Sequence, residues 1–150
     1  MTPMVFRNVY GSTADPVTSW PFEGLVEVLE RGLAPDWVPV FQEVSRQPWG
    51  VVARSLDDYL AIATDHRMKA LVEVSLERAR AGHEKREREQ VASELRDLVR
   101  RSGLSQAECA KRLGTSASRL STYLNGQVVP QATFLVRARS LLGGEGESPR

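Results

Sequence analysis

The sequence predicts an all-α protein: an N-terminal helical module joined by a long charged helix to a C-terminal domain of short helices. Three observations carry that expectation. Apolar residues recur at i, i+3, i+4 and i+7 through successive segments, the spacing that gathers side chains on one face of a helix. Glycines stand where these segments end, and prolines stand close to where they begin. Finally, Ser105 and Ser116 each head a short apolar stripe, marking two sharply bounded helices.

Residues 1–17 are rich in Thr, Ser, Pro, Gly and Asn around Val5, Phe6, Val9 and Tyr10. They form an irregular arm, either partly disordered or packed back onto the first module. From Ser19 the helical period begins, with Phe22, Leu25, Val26 and Leu29 inward, Pro21 in the first turn and Gly32 at the end. Asp36 caps a second helix with Trp37, Val40, Phe41 and Val44 inward; Pro39 falls in its first turn, and Gln47-Pro48 ends it. A third runs from about Pro48 to Ala63 with Trp49, Val52, Ala53, Leu56 and Leu60 inward. Trp20, Trp37 and Trp49 each stand at or beside a helix start with apolar companions. This favours a core role over an exposed aromatic partner site.

Asp65 opens a fourth helix lined by Met68, Leu71, Val72, Ser75, Leu76 and Ala79, completing a module over residues 18–80. Beyond Ala79 the stripe stops. Residues 81–90 read as a solvated helical connector of good helix formers with i,i+4 pairs such as Glu84 to Arg88, and Gly82 as its hinge. It lacks the apolar seam of a coiled coil. Val91, Leu95, Leu98 and Val99 then start the C-terminal domain, residues 91–142.

Within that domain Ser105 and Glu108 form a capping box. Cys109, Ala110 and Leu113 supply the stripe, and Gly114 stops the helix. After Thr115, Ser116 caps a second short helix with Leu120, Tyr123 and Leu124 on one face, closed by Asn125-Gly126. The opposite face, Ser118, Thr122 and Asn125 flanked by Ser121 and Arg119, holds nothing apolar. Beyond Pro130, residues 132–142 give a closing helix with Phe134, Leu135, Ala138, Leu141 and Leu142 inward, and residues 143–150 a frayed tail. No internal repeat is visible.

Two short helices about a tight turn make a helix-turn-helix. This stretch resembles the lambda-repressor/Cro-type (XRE-type) family, in which Leu-Ser-Gln opens one helix, Asn-Gly closes the next and a proline follows. Here these are Leu104-Ser105-Gln106, Asn125-Gly126 and Pro130, with Gly114, Ser116 and Leu120 also in register. The resemblance covers about residues 91–142; the rest of the chain matches no recognised family. It implies a five-helix, lambda-repressor-like domain that binds double-stranded DNA, with a recognition helix at about Ala117–Asn125 in the major groove.

Residue by residue, the resemblance makes Gln106 a phosphate donor and Asn125 the backbone anchor at the far end. It directs Ala117, Ser118 and Thr122 to base edges, with Ser116 and Ser121 completing the contact set. Many relatives carry Arg, Lys or Gln where this chain has Ala117 and Thr122. The difference matters, because a bidentate side chain contributes about 1–3 kcal/mol of discrimination. Arg119 is the one long side chain on offer, as a base reader or as a phosphate clamp.

The formal charge of the 150 residues is +1, yet residues 91–142 hold 8 Lys+Arg against 3 Asp+Glu, or +5, while residues 1–90 hold 11 against 14, or −3. The positive potential that attracts a polyanion thus coincides with the motif. A lone cysteine, Cys109, excludes an internal disulfide and reads as a buried small hydrophobe. No N-terminal signal and no apolar run of about eighteen residues is present, so a cytoplasmic protein without membrane contact is expected.

Catalysis, metal and cofactor are not expected. His66 and His83 lack companions at ligand spacing, and Asp57 and Asp58, adjacent on a helix, point apart. There is no glycine-rich phosphate loop and no nucleophile elbow. The first functional expectation is a sequence-specific transcriptional regulator that binds as a homodimer through residues 18–80. The second is an antitoxin or anti-regulator whose N-terminal module binds a protein partner, with DNA binding for autoregulation. A third is a low-specificity, nucleoid-type DNA binder.

Overall fold

A computed structural model describes residues 2–143. Among them the protein is all-helical: α1 (Phe22–Arg31), α2 (Ala34–Arg46), α3 (Val51–Ile62), α4 (His66–Ser102), α5 (Gln106–Leu113), α6 (Ala117–Leu124) and α7 (Ala132–Leu142). A 3-10 turn, Val17–Ser19, precedes α1, and Val5 and Ser12 form an isolated antiparallel bridge. None of these helices is long and apolar enough to cross a membrane. The chain divides into two compact units, the first ending at His83 and the second beginning at Glu84.

In the first unit the expected stripes meet in one core, with Leu25, Leu29, Val40, Val44, Val52, Ala53, Leu56, Met68, Val72 and Leu76 all buried. Val28 and Tyr59, absent from the predicted stripes, are also fully buried. The arm packs back through Phe6, which is 5% exposed and stands edge-on to Trp20 with ring centroids 5.7 Å apart. Gly24 makes that seat possible. A Cβ there would lie 2.7 Å from the Phe6 ring, closer than two carbons can approach.

Four local expectations are corrected. Asp36 is the third residue of α2 rather than its cap. The helix starts earlier, and the Asp36 carboxylate accepts the Leu33 N–H at 2.9 Å. Pro39 therefore lies beyond the first turn, inside the helix. Trp49 is 47% exposed, because α3 starts only at Val51 and the turn before it sends Pro48 inward instead. Trp20 and Trp37 do pack against the core, and their indole N–H groups donate to the carbonyls of Asp15 at 2.9 Å and Val28 at 2.8 Å. Asp65 caps α4 as expected, accepting from the N–H groups of Arg67 at 2.9 Å and Met68 at 3.2 Å. Leu71, expected inward, is exposed.

The second unit packs the C-terminal turns of α4 with α5, α6 and α7. Leu95, Leu98, Cys109, Ala110, Leu113, Leu120, Phe134, Ala138 and Leu142 form its core, and Val91, Val99, Tyr123, Leu124 and Leu135 flank it. Leu141, expected inward, is exposed. Among the described residues this unit has four helical segments, one fewer than the five the resemblance implies. Residues 84–90 are exposed and helical, and Gly82 lies within α4 rather than at a break. Of the expected tail, all but Gly143 lies outside the described residues.

Candidate nucleic-acid interface

Short-range chemistry builds both helices of the motif. Ser105 Oγ accepts the Glu108 N–H at 3.2 Å and the Glu108 carboxylate accepts the Ser105 N–H at 3.3 Å, so two of the free donors at the start of α5 are satisfied. Gly114 ends α5 at φ 74°, a left-handed conformation that a side chain disfavours. Ser116 caps α6, its Oγ accepting the Arg119 N–H at 3.1 Å. Leu120 is fully buried and so fixes which side of α6 faces outward.

That outward side carries the predicted contact residues. Ser116, Ala117, Ser118, Arg119 and Ser121 are exposed, and Thr122 is half-buried with its hydroxyl donating to the Arg119 carbonyl at 2.7 Å. Asn125 is exposed and its Oδ1 accepts the Gln127 N–H at 3.0 Å, which closes a small turn after α6. Gln106 is the first residue of α5, and its side-chain amide donates to the Ala117 carbonyl across the motif at 3.4 Å. In this conformation Gln106 ties the two helices together.

Two clefts flank α6 and take four of the eight predicted residues between them. One is lined by Gln106, Ser121 and Asn125 with Arg96, Val99, Arg100 and Leu124. The other holds Arg119 among residues of the α5–α6 turn and of α7. The prediction thus missed Arg96 and Arg100. Their i,i+4 spacing on α4 was a signal that both lie on one helix face, but nothing local tied that face to Gln106 or Asn125. Arg96 is held by the Leu124 carbonyl and by Glu89, both at 2.6 Å, so part of its charge is already engaged.

The remaining charge is distributed unevenly. Arg100 pairs with Asp97 at 2.7 Å, and Arg139 pairs with Glu94 across α4 and α7. The hydrogen bond from Arg139 holds the Glu94 carboxyl below the ordinary carboxylate range, against the opposing cost of desolvation and with help from the charges of Arg139 and Arg101. Among the described residues Arg101, Lys111, Arg112, Arg119 and Arg137 have no carboxylate within ion-pair distance. Their charge is available to an external polyanion. No three His, Cys, Asp or Glu side chains of the described residues converge as a metal cluster.

Comparison with known families matches residues 90–148 to a helix-turn-helix domain. No curated protein and no solved structure matches the chain. The C-terminal part of the protein is therefore a helix-turn-helix domain, the kind of domain that binds DNA, and residues 1–89 fall outside the match.

Proposed function

We propose that the protein is a sequence-specific DNA-binding transcriptional regulator of the lambda-repressor/Cro type, with α6 and Asn125 lying in the major groove. The observation that carries this reading is the polar, outward side of α6, held by the Ser116 cap and the buried Leu120 and bordered on one side by Arg119 and Arg137, which have no carboxylate within ion-pair distance among the described residues. In this reading Ser118 and Thr122 offer hydroxyls to base edges and Ala117 a methyl. Gln106, Ser116, Ser121 and Asn125 serve the backbone, and the protein acts by binding rather than by catalysis.

A single motif of this size covers few base pairs, so pairing of two copies on half-sites about 34–36 Å apart is part of the proposal. Residues 18–80 are the proposed pairing surface. An apolar cleft of Trp37, Val38, Phe41 and Leu71 supports that assignment. Selection of the full-length protein against a random duplex pool tests the whole reading. A palindromic enriched motif is expected.

A second reading is favoured by one observation, the short side chains of Ala117 and Thr122 at positions suited to base contact. In it the first unit binds a protein partner and DNA binding serves autoregulation, as in an antitoxin or anti-regulator. An enriched motif without two-fold symmetry, together with a monomer in solution, would favour it. Similar affinity for unrelated duplexes at equal salt would instead identify a low-specificity, nucleoid-type binder.

A further inference from the structure

The cleft on the α7 side of α6 has a volume of about 260 Å³ and is lined by Gly114, Thr115, Arg119, Gln131, Thr133 and Arg137 together with apolar neighbours. Its two guanidinium groups come from different helices, and among the described residues no carboxylate lines it. Arg137 is already oriented, donating to the Leu113 carbonyl at 3.0 Å. The same nitrogen lies over Gly114, 3.8 Å from where a Cβ would stand. Its other donors are left for a ligand, since a guanidinium carries five.

Two arginines, two threonine hydroxyls and a glutamine amide make a donor-rich, cationic recess. A tetrahedral oxyanion satisfies such a set, because guanidinium donors pair with phosphate oxygens through charge-assisted bonds. The recess opens beside the first turn of α6, where Arg119 is the third residue. A helix seated in the major groove lies between two phosphate backbones, so a cleft on its flank is placed to meet phosphates.

We infer that this cleft holds one backbone phosphate of the bound duplex between Arg119 and Arg137, which makes Arg119 a clamp rather than a base reader. The inference rests on the DNA-binding reading above. Arg137 was invisible as a site residue in the sequence, since it sits in the closing helix with nothing local to mark it.

The test measures duplex affinity of the full-length protein across a salt series for wild type, Arg119→Gln, Arg137→Gln, Arg137→Lys and the double glutamine variant. Glutamine at 137 removes the charge and ends two bonds short of the nitrogen that donates to the Leu113 carbonyl, so thermal melting confirms that each variant is folded. Expected are equal losses on matched and unrelated duplexes and partial recovery with Arg137→Lys. The salt slope of the double variant should be shallower by about 0.9, the value for one phosphate. Because both arginines serve that one phosphate, their effects should not add.

Wild-type affinity and slope in Arg137→Gln, with wild type binding duplex, would overturn the cleft and leave the DNA reading intact. A changed preference at one base step in Arg119→Gln would also overturn it, by making Arg119 a reader. Inorganic phosphate is the remaining arm. Stabilisation by it that depends on both arginines, without any change in duplex binding, would reassign the cleft to a free anion and overturn the inference. If wild type binds no duplex at all, the DNA reading itself fails and the inference with it.

Discussion

Tyr59 carries the one buried side-chain oxygen or nitrogen among the described residues that lacks a hydrogen-bond partner. Burial pushes its phenol upward, and the charges of Glu30 and Asp65 push it further the same way. An unsatisfied buried hydroxyl costs about 1–3 kcal/mol. Tyr59→Phe should therefore leave denaturant stability unchanged or raise it, and a clear loss would show that the hydroxyl is paired in solution. Glu94 gives the opposite kind of residue, a group whose charged form the fold favours. Its folded value lies below its unfolded one. Its stabilisation is thus present above the ordinary glutamate range and lost as pH falls through the lowered value. Glu94→Gln should lower the urea midpoint at neutral pH and converge with wild type in strong acid. The effect should be small, because both Glu94 and Arg139 are solvent-accessible.

At the scale of elements, α5 and α6 were legible because their limits are set by neighbours in sequence. Ser105 with Glu108, Gly114, Ser116 and Gly126 each act within a few residues, so the reading needed no tertiary knowledge. The start of α2 was misread for an equally local reason. A carboxylate can serve from the cap or from the third helical position, and Asp36 takes the latter. α4 is a different case, since its exposed middle rests on helix propensity and i,i+4 pairing rather than on burial. No atom lies within 4 Å of a Cβ built on Gly82. Gly82→Ala should then stabilise the protein by roughly 0.5–1 kcal/mol, read from denaturant unfolding. A loss of stability would mean that the glycine is needed for a bend.

At the scale of the whole molecule, the proposed pairing through residues 18–80 gives the remaining prediction. Leu71 was expected inside the first unit and is exposed in the apolar cleft with Trp37, Val38 and Phe41. Leu71→Glu should convert a dimer to a folded monomer in sedimentation and reduce a palindromic motif to a half-site. A wild-type protein that sediments as a monomer at every concentration would remove this surface from the proposal. The all-helical class, the order of helices and the outward side of α6 were determined by the sequence alone, because periodicity, caps and glycine conformations act over a few residues. Only the tertiary structure decided that Phe6 seats over Gly24, that Trp49 turns outward while Tyr59 turns in, and that Arg96 and Arg137 border α6 on opposite sides. These depend on which surfaces distant segments bring together. Side chains many residues apart leave no periodic trace of meeting.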